Sequence, residues 1–243
     1  MRRLALVSRI GDVDAVIFDL DETLIDAQRG LESAHRKVGD LLEAFFRENK
    51  VSIERSKLEE TIARIDDEMN LKSVYDRNVW WQAIVDQLAQ GKKLEPYLVK
   101  RITKEYWKTY EKESAPYPDA VPTLEYLKNQ GYKLGLLTDD DGIVGRKGRR
   151  ISRLSFRELF DACVVAGDET SERKPNPLPF ILIADRLGAS PHRCVMIGDK
   201  PFTDIEGGRR AGMLTILLVR RRWRASAQAD YEITCLSELR TLL

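Results

Sequence analysis

Five short apolar runs recur along the chain: Ala15–Phe18, Lys133–Leu137, Ala162–Ala166, Cys194–Ile197 and Thr215–Val219. Each is continuous and does not alternate. A strand with one wet face alternates apolar and polar residues, whereas a run apolar throughout is covered on both faces, as in a parallel sheet between helices. Helix-like stretches separate the last four runs. Asp119–Gln130 starts near Pro118 and closes at Gly131, Pro177–Leu187 ends before Gly188, and Asp204–Ala211 ends before Gly212. Arg149–Phe160 carries Ile151, Leu154, Leu159 and Phe160 on roughly one face and reads as a further helix. Strands alternating with helices predict an α/β fold, a three-layer α/β/α doubly wound parallel sheet.

Between the first and second runs the alternation stops. Residues 30–112 hold no convincing strand and read as four helices, Leu31–Glu48, Glu54–Asp67, Val74–Gln90 and Glu95–Glu113. That is too long for an ordinary crossover. The expectation is a helical domain, residues 28–114, inserted into an α/β core formed by residues 1–27 and 115–243. Pro116 and Pro118, in "ESAPYPDA", mark the return to the core.

Composition narrows the partners. The chain has 243 residues and a formal net charge of +1, from 40 basic and 39 acidic side chains. This gives no global pull toward nucleic acid or an anionic membrane, and no apolar run is long enough to span a bilayer. The opening "MRRLALVSRI" lacks the long apolar region of a signal peptide. Cys163, Cys194 and Cys235 are few, odd in number and far apart, which favours reduced core thiols in a cytoplasmic protein over a disulfide framework or zinc site.

The chemistry sits just beyond the runs. The first ends in Asp19-Leu20-Asp21-Glu22-Thr23 and the second in Thr138. After the third comes Lys174, in "RKPNP", and the fourth ends in Gly198-Asp199, with Asp204 close behind. Ligands of parallel α/β sheets bind at the carboxyl ends of the strands, so these distant residues should share one crevice. Four carboxylates there, all hard oxygen donors, fit Mg²⁺. A metal, an ammonium group and a hydroxyl are what phosphoryl transfer needs, because that reaction is catalysed mostly by positioning and charge neutralisation.

Taken singly, each signal has a structural reading. The Asp19 segment could be a capped turn, Thr138 a strand-end residue, Lys174 a solvated loop lysine, Gly198 a turn glycine and Asp204 a helix cap. Together, in this order, they resemble the four motifs of the haloacid dehalogenase (HAD) superfamily: Asp19-x-Asp21-x-Thr23, Thr138, Lys174, and Gly198-Asp199 with Asp204. The resemblance covers about residues 12–27 and 115–243, including the tail "ADYEITCLSEL", and the helical insert falls where cap-bearing members carry a C1 cap.

The resemblance implies a Mg²⁺-dependent phosphatase acting on a small phosphate ester. Asp19 would be the nucleophile, forming an aspartyl phosphate. Asp21 would protonate the leaving oxygen and then deprotonate water, its carbonyl also meeting the metal. Thr138 would hold a phosphoryl oxygen, Lys174 would screen charge, and Asp19, Asp199 and Asp204 would complete the metal site. Family dehalogenases and phosphonatases lack an acid at the position of Asp21. A sugar-phosphate mutase, a 2-haloacid dehalogenase or a non-catalytic binding protein remain the alternatives. No nucleic-acid or membrane partner is expected, and either a monomer or a homodimer is compatible.

Two stretches depart from the pattern. Asp139, Asp140 and Asp141 follow Thr138, where cap-bearing relatives often have Asn, and three acids there would weaken anion binding unless they point away. Next come Arg146, Lys147, Arg149 and Arg150 among Gly142, Gly145 and Gly148; this cluster reads as a flexible, solvated loop and helix start, or else as cations that offset the acids or reach a substrate. In the insert, Lys72, Tyr75, Arg77, Trp80 and Trp81 could meet a substrate, but adjacent tryptophans on a helix more often form core. His35 reads as an exposed insert residue and His192 as a turn residue. "RRRWR", Arg220–Arg224, reads as surface or interface.

Overall fold

A computed structural model describes residues 10–220 and 228–243. The opening segment up to residue 9, and Arg221–Arg224 of the "RRRWR" run, lie outside the described residues.

Two compact units emerge, one of residues 10–26, 116–140, 145–220 and 228–243, the other of Ala27–Ala115 with Asp141–Val144. The first contains a six-stranded sheet made of β1 (Ala15–Phe18), β4 (Lys133–Asp139), β5 (Ala162–Ala166), β6 (Cys194–Gly198), β7 (Leu214–Leu218) and β8 (Tyr231–Ile233). Two short strands, β2 (Ile25–Asp26) and β3 (Ala115–Pro116), pair separately. The order in the main sheet is β5-β4-β1-β6-β7-β8, and all neighbours are parallel. All four residues of β1 are fully buried, which is why the run cannot alternate. One face is sealed by α7 (Pro177–Arg186): Ala15, Ile17, Leu137 and Met196 share a core with Phe180, Ile183 and Ala184. Gly135 in β4 matters here, because a side chain would press on Ile17, Ile183 and Leu187. On α5 (Ala120–Asn129), Thr123, Leu124 and Leu127 are buried.

Chain direction in the sheet reverses beside β1. From β1 the chain moves outward through β4 to β5, then crosses back to β6 on the other side of β1 and continues to β7 and β8. That reversal opens a crevice at the carboxyl ends of β1 and β6. Asp19 and Asp199 stand at its two lips.

One expected helix is corrected. In place of Arg149–Phe160 there is α6 (Arg146–Ile151), then a single turn at Arg157–Leu159. Phe156 is buried with Ile151 and Phe160. A continuous helix would turn Phe156 about 140° away from Ile151, so the chain breaks to bury both. Asp204–Ala211 is likewise split, into a wide turn at Pro201–Ile205 and α8 (Glu206–Arg210).

The second unit is helical: α1 (Gln28–Glu48), α2 (Arg55–Leu71), α3 (Arg77–Leu88) and α4 (Pro96–Glu113). Trp80 and Trp81 are core residues, 2% and 1% exposed. Their indole N–H groups donate to the Val74 carbonyl and the Thr103 hydroxyl. Buried Arg77 lies 3.5 Å over the Trp80 ring. Lys72 is on the surface, paired with Glu68. His35 is not exposed as expected: its side chain is 18% accessible, with Nε2 3.8 Å from a carboxylate oxygen of Asp66. Among the cysteines only Cys194 is fully core; Cys163 and Cys235 are half-buried, and Cys235 sits at the start of the last turn before α9 (Leu239–Leu242). Among the described residues no helix is long and apolar enough to cross a membrane.

Candidate active site

The loop after β1 is bound into the sheet before it turns. The Asp19 N–H donates to the Ile197 carbonyl of β6 at 2.9 Å, extending the ladder by one residue and fixing where the Asp19 side chain leaves the backbone. The chain then doubles back, with Leu24 and Ile25 donating to the Leu20 carbonyl and Glu22 in left-handed backbone, φ 66°. Asp19 and Asp21 therefore leave a tight turn separately, each toward different cations.

Lys174 is set by the "KPNP" segment. Asn176 caps α7 by accepting the Leu178 N–H, and Pro177 occupies the first turn, so the helix start is defined at the residue. Just before it, Lys174 Nζ reaches Asp19 Oδ1 at 2.6 Å and Asp204 Oδ1 at 2.7 Å. All three are buried, at 3%, 5% and 0% exposure. Asp204 also accepts the Lys200 N–H at 3.0 Å.

Asp199 completes the group. It is 1% exposed, and neither carboxylate oxygen has a hydrogen-bond partner among the described residues. A buried carboxylate without a partner carries a heavy desolvation cost. Carboxylate oxygens of Asp19, Asp199 and Asp204 lie within 4.8 Å of one another. Three hard oxygen donors with one set of lone pairs unclaimed fit a small divalent cation such as Mg²⁺.

The protonation balance says the same. Burial raises Asp19 above the ordinary carboxyl range, with Lys174 pulling the other way. Burial raises Asp199 further. Both shifts favour the protonated acid in the metal-free fold. Their stabilising contribution is complete below the unfolded-state pKa of about 3.9 and is lost as pH rises through the folded values. A divalent cation replaces those protons. We expect Mg²⁺ to raise the Tm over a chelator control by more at about pH 8 than at about pH 5; equal shifts at both pH values would contradict the site.

Gly198 has a steric role. A Cβ there would fall on the Asp204 carboxyl group. Gly198→Ala should displace Asp204, cost about 1–3 kcal/mol of stability and lower turnover by about 10²-fold. Unchanged activity would show that the position of Asp204 is not critical.

The remaining expected residues are distributed as follows. Thr138 is the next-to-last residue of β4 and is 3% exposed. Asp139 and Asp140 are absorbed by the loop carrying Lys174: Asp139 accepts the Lys174 backbone N–H at 3.0 Å, and Asp140 accepts Arg173 Nε at 2.5 Å. Asp21 lies apart from the three-carboxylate group. Its Oδ2 accepts Lys147 Nζ at 2.6 Å, and Arg150 binds both oxygens, at 2.6 Å and 3.3 Å. Burial pushes Asp21 upward, but Arg150 and Lys147 outweigh it and hold the carboxyl well below its usual range.

Sequence reasoning missed this clamp. Lys147 and Arg150 read as a solvated loop, or else as cations that offset nearby acids or reach a substrate; their side chains are 5% and 9% exposed, and their partner Asp21 is not among the acids that follow Thr138. The available signal was their three-residue spacing, which puts both on one face of a helix.

Residues 13–212 match the family described as haloacid dehalogenase-like hydrolase. A glyceraldehyde 3-phosphate phosphatase of Methanopyrus kandleri is 31% identical over 213 residues, 87% of this chain and 86% of that one. A phosphoglycolate phosphatase of Aquifex aeolicus is 30% identical over 208 residues, 83% of each chain. The crystal structure of a HAD phosphatase from Thermococcus onnurineus superposes with a TM-score of 0.66 at 28% identity, covering 94% of this chain and 96% of that one.

Proposed function

The chain belongs to the haloacid dehalogenase-like hydrolases, and from that premise we propose that it is a Mg²⁺-dependent phosphomonoesterase for a small phosphorylated metabolite. One observation carries the metal: Asp199 is buried, with no hydrogen-bond partner for either oxygen among the described residues, next to Asp19 and Asp204. The names of the two relatives, glyceraldehyde 3-phosphate phosphatase and phosphoglycolate phosphatase, support a small phosphate ester as substrate.

Asp19, Asp199 and Asp204 would hold the cation, with the Asp21 carbonyl as a further donor. When bound, the ion neutralises phosphoryl oxygens and brings the phosphorus within reach of a carboxylate. Asp19, anchored through its own N–H, attacks phosphorus, and the ester P–O bond breaks. Asp21, protonated once it is free of Lys147 and Arg150, gives that proton to the departing oxygen. Water then attacks the aspartyl phosphate and passes a proton back to Asp21, releasing phosphate and restoring Asp19. Lys174, touching the nucleophile, offsets charge as the phosphoryl group arrives, and Thr138 donates its hydroxyl to a phosphoryl oxygen.

Phosphate release from p-nitrophenyl phosphate tests the reading. Turnover with Mg²⁺ that chelator removes is the expected result. Turnover unaffected by chelator, or none from the aryl ester and from a panel of small phosphate esters alike, would refute it.

A further inference from the structure

Asp21 cannot be turned to a leaving oxygen while both of its own oxygens are held by Lys147 and Arg150. The three residues belong to the same compact unit, and the clamp is formed by one face of α6. Burying a lysine and an arginine is costly, and neither is placed as a solubilising surface charge.

The geometry limits where a leaving group can be. An oxygen that takes a proton from Asp21 lies about 2.6–3.2 Å from one of its carboxyl oxygens. Lys147 Nζ is 2.6 Å from Oδ2 and Arg150 Nη2 is 2.6 Å from Oδ1. Before the exchange, an ester oxygen within reach of either carboxyl oxygen therefore lies within about 6 Å of one cation. An anionic group one or two carbons from the ester oxygen spans that gap, given single bonds of about 1.5 Å.

We infer that Lys147 and Arg150 are the subsite for an anionic group, a carboxylate above all, on the leaving portion of the substrate, and that this group takes the place of Asp21 on the two cations. The exchange conserves charge pairing: one carboxylate leaves the clamp as another enters. Freed of the two cations, Asp21 takes up a proton from solvent and stands beside the ester oxygen of the molecule that displaced it. A neutral leaving group brings no replacement anion, so Asp21 is released less readily, and the clamp selects the substrate and engages the acid in one event. Arginine presents a planar fork that suits a carboxylate, and lysine adds a compact charge.

This inference rests on the phosphomonoesterase reading, and the experiment separates the two. The probes are 2-phosphoglycolate and 2-hydroxyethyl phosphate, which differ only by carboxylate for hydroxymethyl. The kcat/KM ratio of the first to the second is measured for the full chain with Mg²⁺, then for Lys147→Met and Arg150→Met, and for the conservative Lys147→Arg and Arg150→Lys. The expected ratio is at least about 30 in the unsubstituted protein. It should collapse toward one in the methionine variants and recover in part in the conservative ones. A ratio near one at the start overturns the inference. So does a ratio that persists while both rates fall together, the signature of a merely structural ion pair. Hydrolysis of p-nitrophenyl phosphate, lost in Asp19→Asn, is run alongside. If that control holds and the ratio fails, only the subsite falls; if the unsubstituted protein hydrolyses no ester, the phosphatase reading falls and takes the subsite with it.

Discussion

Asp19→Asn should abolish turnover, by about 10⁴-fold or more, and leave the fold intact. Asparagine keeps the size of the side chain and one oxygen to accept Lys174 Nζ, which now lies 2.6 Å away. It replaces the nucleophilic carboxylate with a neutral amide that does not attack phosphorus, and it removes one carboxylate that the cation needs. Stability should hold or rise slightly, because burial disfavours the charged form of Asp19 in the metal-free protein. The pairing of lost activity with retained Tm is what separates a reacting group from a structural one. Activity within tenfold of the unsubstituted protein, roughly 1.4 kcal/mol in the barrier, would remove Asp19 from the role of nucleophile.

Lys174→Met should have the opposite balance. Lys174 is the ammonium group held directly by Asp19 and Asp204, at 2.6 Å and 2.7 Å. Burial alone would lower its pKa, but Asp19, Asp204 and Asp139 raise it well above the ordinary value, so it stays charged. Methionine fills the space and strands the acids. Removing one partner of a buried ion pair costs about 3–5 kcal/mol. The loss should appear as a lower Tm in chelator and be partly recovered by Mg²⁺, which supplies positive charge to the same carboxylates. Comparing Tm with and without Mg²⁺ therefore reads the metal site without reading activity. A variant as stable as the parent in chelator, or one that Mg²⁺ leaves unchanged, would mean that Lys174 does not balance these carboxylates.

Much of this was legible from local rules. The unalternating run Ala15–Phe18 announces a strand covered on both sides, and it pairs with β4 and β6. Pro177 marks a helix start, and α7 does begin there. Residues that follow strand ends in a parallel sheet gather at one edge, which brings Asp19, Lys174, Asp199 and Asp204 together. Where the sequence misled, non-local contacts decided the outcome. Helix periodicity over Arg149–Phe160 counted Leu154 and Leu159 but not Phe156, whose burial breaks the helix. The run Asp139–Asp141 looked hostile to an anion, yet Asp139 and Asp140 are turned into hydrogen bonds with Lys174 and Arg173. Lys147 and Arg150 looked solvated because lysine and arginine usually are. Their partner, Asp21, is more than 120 positions away in the chain, beyond any local pattern.

Asp19 carries the proposed reaction, and its covalent intermediate can be seen directly. Asp21→Asn removes the group that activates water, so the aspartyl phosphate should accumulate during reaction with p-nitrophenyl phosphate. Acid quenching, proteolysis and mass spectrometry then locate the phosphoryl group. It is expected on the peptide carrying Asp19, at higher occupancy in Asp21→Asn than in the unsubstituted enzyme and absent from Asp19→Asn. Substrate consumed by the unsubstituted enzyme with no phosphoryl group on that peptide in either protein, or a phosphoryl group on another residue, would contradict that reaction.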